Sequence, residues 1–184
     1  MRASVYIATS LDGFIARPNG AIDWLTGADS APHGEDYGYQ AFMETVDTMV
    51  LGRHTFDLAV TFAAWPYRGK RVVVLSRTPP AIPQHLADEV IWLALPPQQV
   101  VARLAAQGAT HLYIDGGKTI QGFLQAELID ELIITRLPIL IGAGIPLFGP
   151  VPRDMHLKHN ETRQFENGFV QSRYTIIHTA AAQA

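Results

Sequence analysis

The chain contains no cysteine. That absence excludes disulfides, thiolate metal sites and thiol nucleophiles together. Charge of one sign is also missing: 14 Lys and Arg against 17 Asp and Glu leave a net charge of −3. With no basic block, nothing recommends nucleic acid as a partner. No apolar run approaches the roughly 20 residues that span a bilayer, and the start of the chain lacks the charged, apolar and small-residue succession of a signal peptide. The seven histidines include no His-x-x-x-His pair beside a carboxylate, so no metal is expected. Ser10 and Ser76 sit in no Gly-x-Ser-x-Gly elbow, which leaves a phosphate-sugar hydrolase without a nucleophile. These exclusions leave a single expected domain over residues 1–178, cytoplasmic, with residues 179–184 expected to fray.

What is present is a succession of short apolar runs divided by turns. Ser4 to Ala8 reads as an opening strand, followed by the turn Ser10-Leu11-Asp12-Gly13 and an extended Phe14-Ile15-Ala16. Glu35 to Thr45 reads as a helix with acidic residues at its start. Thr48–Leu51, Arg71–Leu75, Val90–Leu93 and Leu112–Ile114 read as buried strands, and Gln98–Ala106 as a helix opened by Pro96-Pro97. Ile120, Phe123, Leu124 and Leu128 repeat at helical spacing after the Gly116-Gly117 pair. Glu131–Leu137 is another strand. Asn167-Gly168 joins His156–Phe165 to Phe169–His178 as a terminal hairpin. Alternating strands and helices with such a hairpin predict an α/β fold with a mixed, mostly parallel sheet and an antiparallel edge.

Three strand ends carry chemistry. At Asp115-Gly116-Gly117-Lys118-Thr119, glycines let a backbone approach a ligand closely, and the following helix offers free N–H groups to an anion. The same residues also make a plain strand-to-helix turn. At Gly52-Arg53-His54-Thr55, a guanidinium and a hydroxyl suit phosphate oxygens; a surface ion pair and a helix cap fit the pattern too. Ser76-Arg77 suits a ribose 2′-phosphate, as an arginine does for NADP, or a solvated strand end. Ligands of open α/β sheets bind at carboxyl ends of strands, so three such loops together describe a site for a polyphosphorylated ligand. Asp12, Asp23, Glu35, Asp36 and Asp115 are the carboxylates near loop or helix edges, where one could relay a proton or simply cap a turn. His111 reads as structural.

These segments resemble a known family. Met49-Val50-Leu51-Gly52-Arg53-His54-Thr55-Phe56, Val73-Val74-Leu75-Ser76-Arg77 and Ile114-Asp115-Gly116-Gly117-Lys118-Thr119-Ile120 resemble the three cofactor-gripping segments of dihydrofolate reductases. Ala8, Ile15-Ala16 and Asn19-Gly20 resemble the strand and loop that flank the nicotinamide. Ser10-Leu11-Asp12-Gly13, Leu128-Ile129-Asp130-Glu131-Leu132 and Gly142-Ala143-Gly144-Ile145-Pro146-Leu147-Phe148 are closer to the C-terminal reductase domain of bacterial riboflavin-biosynthesis enzymes. That domain reduces 5-amino-6-(5-phosphoribosylamino)uracil with NADPH.

The resemblance implies a dihydrofolate reductase-like three-layer α/β/α fold, a stand-alone reductase, NADPH as cofactor, a small heterocyclic substrate and a homodimer. It implies that Ala8, Ile15, Ala16, Gly52, Arg53, Thr55, Ser76, Arg77, Gly116, Gly117, Lys118 and Thr119 bind the cofactor. Asp12, Asp36 and Asp115 are its candidates for proton supply or substrate anchoring. Two departures stand out: Asp115 replaces a usual Glu, and Phe56 to Pro66 is apolar where the riboflavin enzymes carry a polar, Arg-containing stretch. Dihydrofolate reduction itself and a non-catalytic NADPH-binding module remain the alternatives.

Overall fold

The computed structural model describes residues 1–25 and 34–178; the expected tail at 179–184 lies outside them. Eight strands form one sheet in the order β5-β4-β3-β6-β1-β7-β10-β9. They are β1 (Arg2–Thr9), β3 (Thr48–Gly52), β4 (Arg71–Leu75), β5 (Val90–Leu93), β6 (His111–Asp115), β7 (Glu131–Arg136), β9 (Leu157–Gln164) and β10 (Val170–Ile176). The six strands from β5 to β7 are mutually parallel, and β10 and β9 add antiparallel at one edge. β2 (Phe14–Ala16) and β8 (Ile145–Pro146) form a separate small ladder.

Helices cover both faces, which is why the central strands are apolar at every position rather than at alternate ones. Val5, Val50, Val73, Leu112 and Ile114 turn to α3 (Pro97–Ala106) and α4 (Gly117–Gln125). Met49, Leu51, Val72, Val74 and Tyr113 turn to α1 (Tyr39–Thr45) and α2 (Arg53–Ala59). Each fully buried Leu or Ile adds about 2 kcal/mol relative to exposure, so stability is concentrated in the strands and the loops at their ends are left to chemistry.

The helix expected from Glu35 starts instead at Tyr39. Tyr37 (φ 59°) and Gly38 (φ 86°) both adopt the left-handed region, which a helix cannot contain. The Asp36 carboxylate then accepts the Gly38 and Gln40 N–H groups, at 2.8 and 2.9 Å, and acts as the cap.

The amino ends of the strands are closed by a polar knot. His111 Nδ1 lies 3.0 Å from the Thr45 carbonyl, and its Nε2 lies 2.8 Å from Ser4 Oγ, which is 3.1 Å from Glu131. Burial, then the Arg2 charge, lower the His111 pKa. Beside it Asp47 accepts from Thr48 Oγ1, Thr110 N, Thr110 Oγ1 and His111 N. Burial opposes ionisation there, but these bonds overcome it and hold the carboxyl down to about 2. A depressed acid stabilises the fold above its ordinary pKa and loses that contribution as pH falls through the folded value. Asp47→Ala should therefore cost about 2 kcal/mol in urea unfolding at pH 7 and far less at pH 2. An equal loss at both pH values would assign the effect to packing alone.

Candidate functional site

The carboxyl ends of β1, β3, β4, β6 and β7 share one edge of the sheet. The chain runs outward from β3 through β4 to β5, returns to place β6 between β3 and β1, and then leaves on the other side through β7. Such a reversal opens a crevice above the strand ends.

At its centre, Gly116 takes φ +95° and the Asp115 carboxylate accepts its N–H at 2.7 Å. The first intrahelical bond of α4 is Ile120 N–H to Gly116 O, so the N–H groups of Gly117, Lys118 and Thr119 are left for a ligand. The neighbouring junction, from β3 into α2, faces this one. A Cβ on Gly116 would sit 2.6 Å from Thr55 Oγ1, and a Cβ on Gly52 would sit 2.7 Å from Thr119 Oγ1. Each junction's threonine thus covers the other's glycine. Gly117 is roofed by Ile15 of β2 and Ile145 of β8, 2.9 and 3.1 Å from where a Cβ would stand. Lys118 is exposed at the start of α4. Ala8 is partly buried on β1, opposite Thr135 of β7, and Ala16 lies in the β2–β8 ladder.

Further along the edge, an open cavity of about 300 Å³ is lined by Ser76, Arg77, Leu93, Ala94 and Leu95. Trp92 Nε1 donates to the Ser76 carbonyl at 2.8 Å and fixes this strand end. Arg77 is exposed and has no partner among the described residues. Arg53 differs: its Nε contacts both Asp57 oxygens at 2.7 and 2.9 Å, and its Nη1 donates to the Pro79 carbonyl. Of the two readings its sequence context allowed, the structure has the ion pair, which ties α2 to the β4–β5 connection.

The three candidate carboxylates separate clearly. Asp12 accepts from Ser10 Oγ, Ile141 N and Gly142 N, and so sews the β1–β2 turn to the loop after β7. The Ser10 bond leads in holding its pKa low. Asp36 is held low by the Gln40 and Gly38 N–H groups. Only Asp115 has little to hold its charge: burial pushes it up to about 6, opposed by the single Gly116 bond. It keeps a small area open to solvent but is enclosed on the scale over which a charge is hydrated. Among the described residues, no three His, Asp or Glu side chains gather as a metal would need. Ile145, Leu93 and Leu95 were not anticipated from sequence. Ile145-Pro146 belongs to the segment quoted for the family resemblance, but its role as a roof over Gly117 depends on strand pairing.

Residues 4–171 match the RibD C-terminal domain model. The Bacillus subtilis protein named Uncharacterized protein YwjB is 36% identical over 163 residues, covering 88% of this chain and 90% of that one. A solved Shewanella sp. PV-4 structure, which carries a provisional riboflavin-biosynthesis name, superposes with a TM-score of 0.89 at 42% identity, covering 97% of this chain and 100% of that one. Acinetobacter baumannii RibD superposes with a TM-score of 0.70 at 22% identity, covering 96% of this chain and 58% of that one, and shares the fold. Both solved structures share the fold of this chain, and the chain belongs to the RibD C-terminal domain family.

Proposed function

We propose that this protein is an NADPH-dependent reductase acting on a pyrimidine-like substrate such as 5-amino-6-(5-phosphoribosylamino)uracil. The observation that carries the reading is the alignment of three features along one edge: the open N–H groups of Gly117, Lys118 and Thr119, the Thr55 and Thr119 hydroxyls, and the cavity at Ser76 and Arg77. The donor set fits a dinucleotide. The helix start and hydroxyls suit a pyrophosphate, Leu93 and Leu95 offer apolar surface to an adenine, and the unpaired Arg77 suits a 2′-phosphate.

NADPH, when bound, supplies two electrons and one hydrogen of the reduction. The chain supplies placement and the second hydrogen. Ala8, Ile15 and Ala16 confine the reacting end, and the Asp115 carboxyl, with a pKa near its working range, delivers a proton to the reduced substrate. A homodimer, which the resemblance implies, and a cytoplasmic location, expected from the sequence, belong to the same proposal. Dihydrofolate reduction would call on Asp36, whose oxygens are both taken by the α1 cap; a non-catalytic binding module would bind cofactor without turnover.

Fluorescence titration with NADPH and NADH tests the cofactor. The wild-type protein should prefer NADPH, and Arg77→Ala should weaken NADPH by about tenfold while leaving NADH unchanged. Failure of both nucleotides to bind would remove the reading.

A further inference from the structure

β2 and β8 pair with each other and not with the eight-stranded sheet. Even so, their Ile15 and Ile145 side chains leave no room for a Cβ on Gly117, the first residue of α4. A ring of hydrogen bonds holds the ladder there. The loop from Ile139 to Leu147 wraps the β1–β2 turn: Leu11 N–H donates to the Ile139 carbonyl at 2.8 Å, and Leu147 N–H donates to the Gly13 carbonyl at 3.0 Å. Between these two ends, Asp12 accepts the Ile141 and Gly142 N–H groups at 3.3 and 2.8 Å. Ser10, fully buried, donates its hydroxyl to Asp12 and accepts the Phe14 N–H at 3.0 Å. A continuous chain of bonds thus runs from Phe14 of β2, through Ser10 and Asp12, to the loop that carries β8. Gln121 of α4 closes the ring, its amide donating to the Pro146 carbonyl at 2.8 Å.

Packing does little of this work. Leu147 is buried and anchors the far end of the loop, but Leu140 is 69% exposed, and Gly142 and Ala143 are exposed beside it. The outer half of the loop is therefore fixed by hydrogen bonds, and Asp12 is the side chain on which they converge. Gly144 marks where the loop presses on β2, since a Cβ there would run into the Ala16 carbonyl and the Phe14 side chain. The donors reach Asp12 on both of its oxygens. A carboxylate accepts on both, whereas an amide would turn an N–H toward one of them. Asp12 is itself exposed, so replacing it opens no hole in the core.

We propose that Asp12, supported by Ser10 and Gln121, is a positioning residue that pins the β2–β8 ladder over the start of α4. It thereby fixes where the nicotinamide end of the dinucleotide lies relative to its phosphates. The assignment rests on the NADPH reading above and adds what keeps Ile15 and Ala16 in place. The phosphates meet α4 and the glycine junctions directly and do not depend on the pin. The nicotinamide end meets the ladder, and the ladder depends on Asp12.

The test is calorimetric titration of wild type, Asp12→Asn and Gln121→Leu with two ligands. One is NADPH; the other is 2′-phospho-ADP-ribose, the same molecule without its nicotinamide. Asp12→Asn should weaken NADPH by about tenfold and Gln121→Leu by about threefold, while the fragment should move by less than about twofold in either. Retained fragment binding also reports that the phosphate half of the site is folded in each variant. A general loss of structure would weaken both ligands together. Equal losses of NADPH and fragment in both variants, or wild-type NADPH affinity in either, would overturn the assignment while the cofactor reading stands. If the wild-type protein does not bind NADPH, the cofactor reading falls and takes this inference with it.

Discussion

Asp115→Asn is expected to lower kcat by about a hundredfold or more and, at the same time, to make the protein more stable. The two effects share one cause. The folded chain buries this carboxyl and raises its pKa from 3.8 to about 6, so at neutral pH the fold carries a charge it would rather not hold. A raised acid penalises the folded state fully above the folded pKa and not at all below the unfolded one. At about 1.4 kcal/mol for each pKa unit, the penalty is about 3 kcal/mol at most. Asparagine keeps the shape and removes the charge. Urea unfolding should show the variant gaining stability at pH 8, with the gain shrinking to nothing near pH 4. The kcat of the wild type should fall as pH rises through about 6, where the donor loses its proton, and that limb should vanish in the variant. A variant that loses activity without gaining stability at pH 8 would show that Asp115 is not the strained acid described above.

The second large effect is at Gly116. Gly116→Ala is expected to lower the melting temperature by roughly 5–10 °C and to abolish nucleotide binding. A φ of +95° is open to glycine and strains any other residue by about 1–3 kcal/mol. The new methyl would also meet Thr55 Oγ1 at 2.6 Å and the Gly52 nitrogen at 3.5 Å. For a chain of this size each kcal/mol shifts the midpoint by about 2–4 °C. The clash has an identified partner, so Thr55→Ala should return part of the lost stability in the double variant, whereas independent sites would simply add. Strict additivity would mean that the backbone angle, and not the facing threonine, accounts for the loss.

Much of this was readable in the chain because the central strands are buried on both faces. Val72–Leu75 and Met49–Leu51 are continuous apolar runs that end abruptly at polar loops, and that contrast marks both the strand and its chemically useful end. Other parts were hidden for physical reasons. The start of α1 moved because Tyr37 adopts a left-handed angle, which nothing in its neighbours demands. Asp12, Asp36 and Asp115 look alike in sequence; they diverge because Ser10 Oγ with the Ile141 and Gly142 N–H groups holds Asp12 and the Gly38 and Gln40 N–H groups hold Asp36, while burial prevails at Asp115.

The insertion of β6 between β1 and β3 has a kinetic consequence. Thr48 pairs with Leu112 and Leu51 with Asp115, so strands that touch in space are separated by some sixty residues of chain. Until β6 arrives, β3 and β1 have no shared partner, and neither the glycine junction nor its facing threonine is opposed by anything. Pairing across such long loops is slow, because closure entropy is lost before contacts repay it. The cradle of facing glycine junctions is therefore among the last features to form, and a ligand that binds it acts only on chains that have finished folding, drawing the equilibrium toward them.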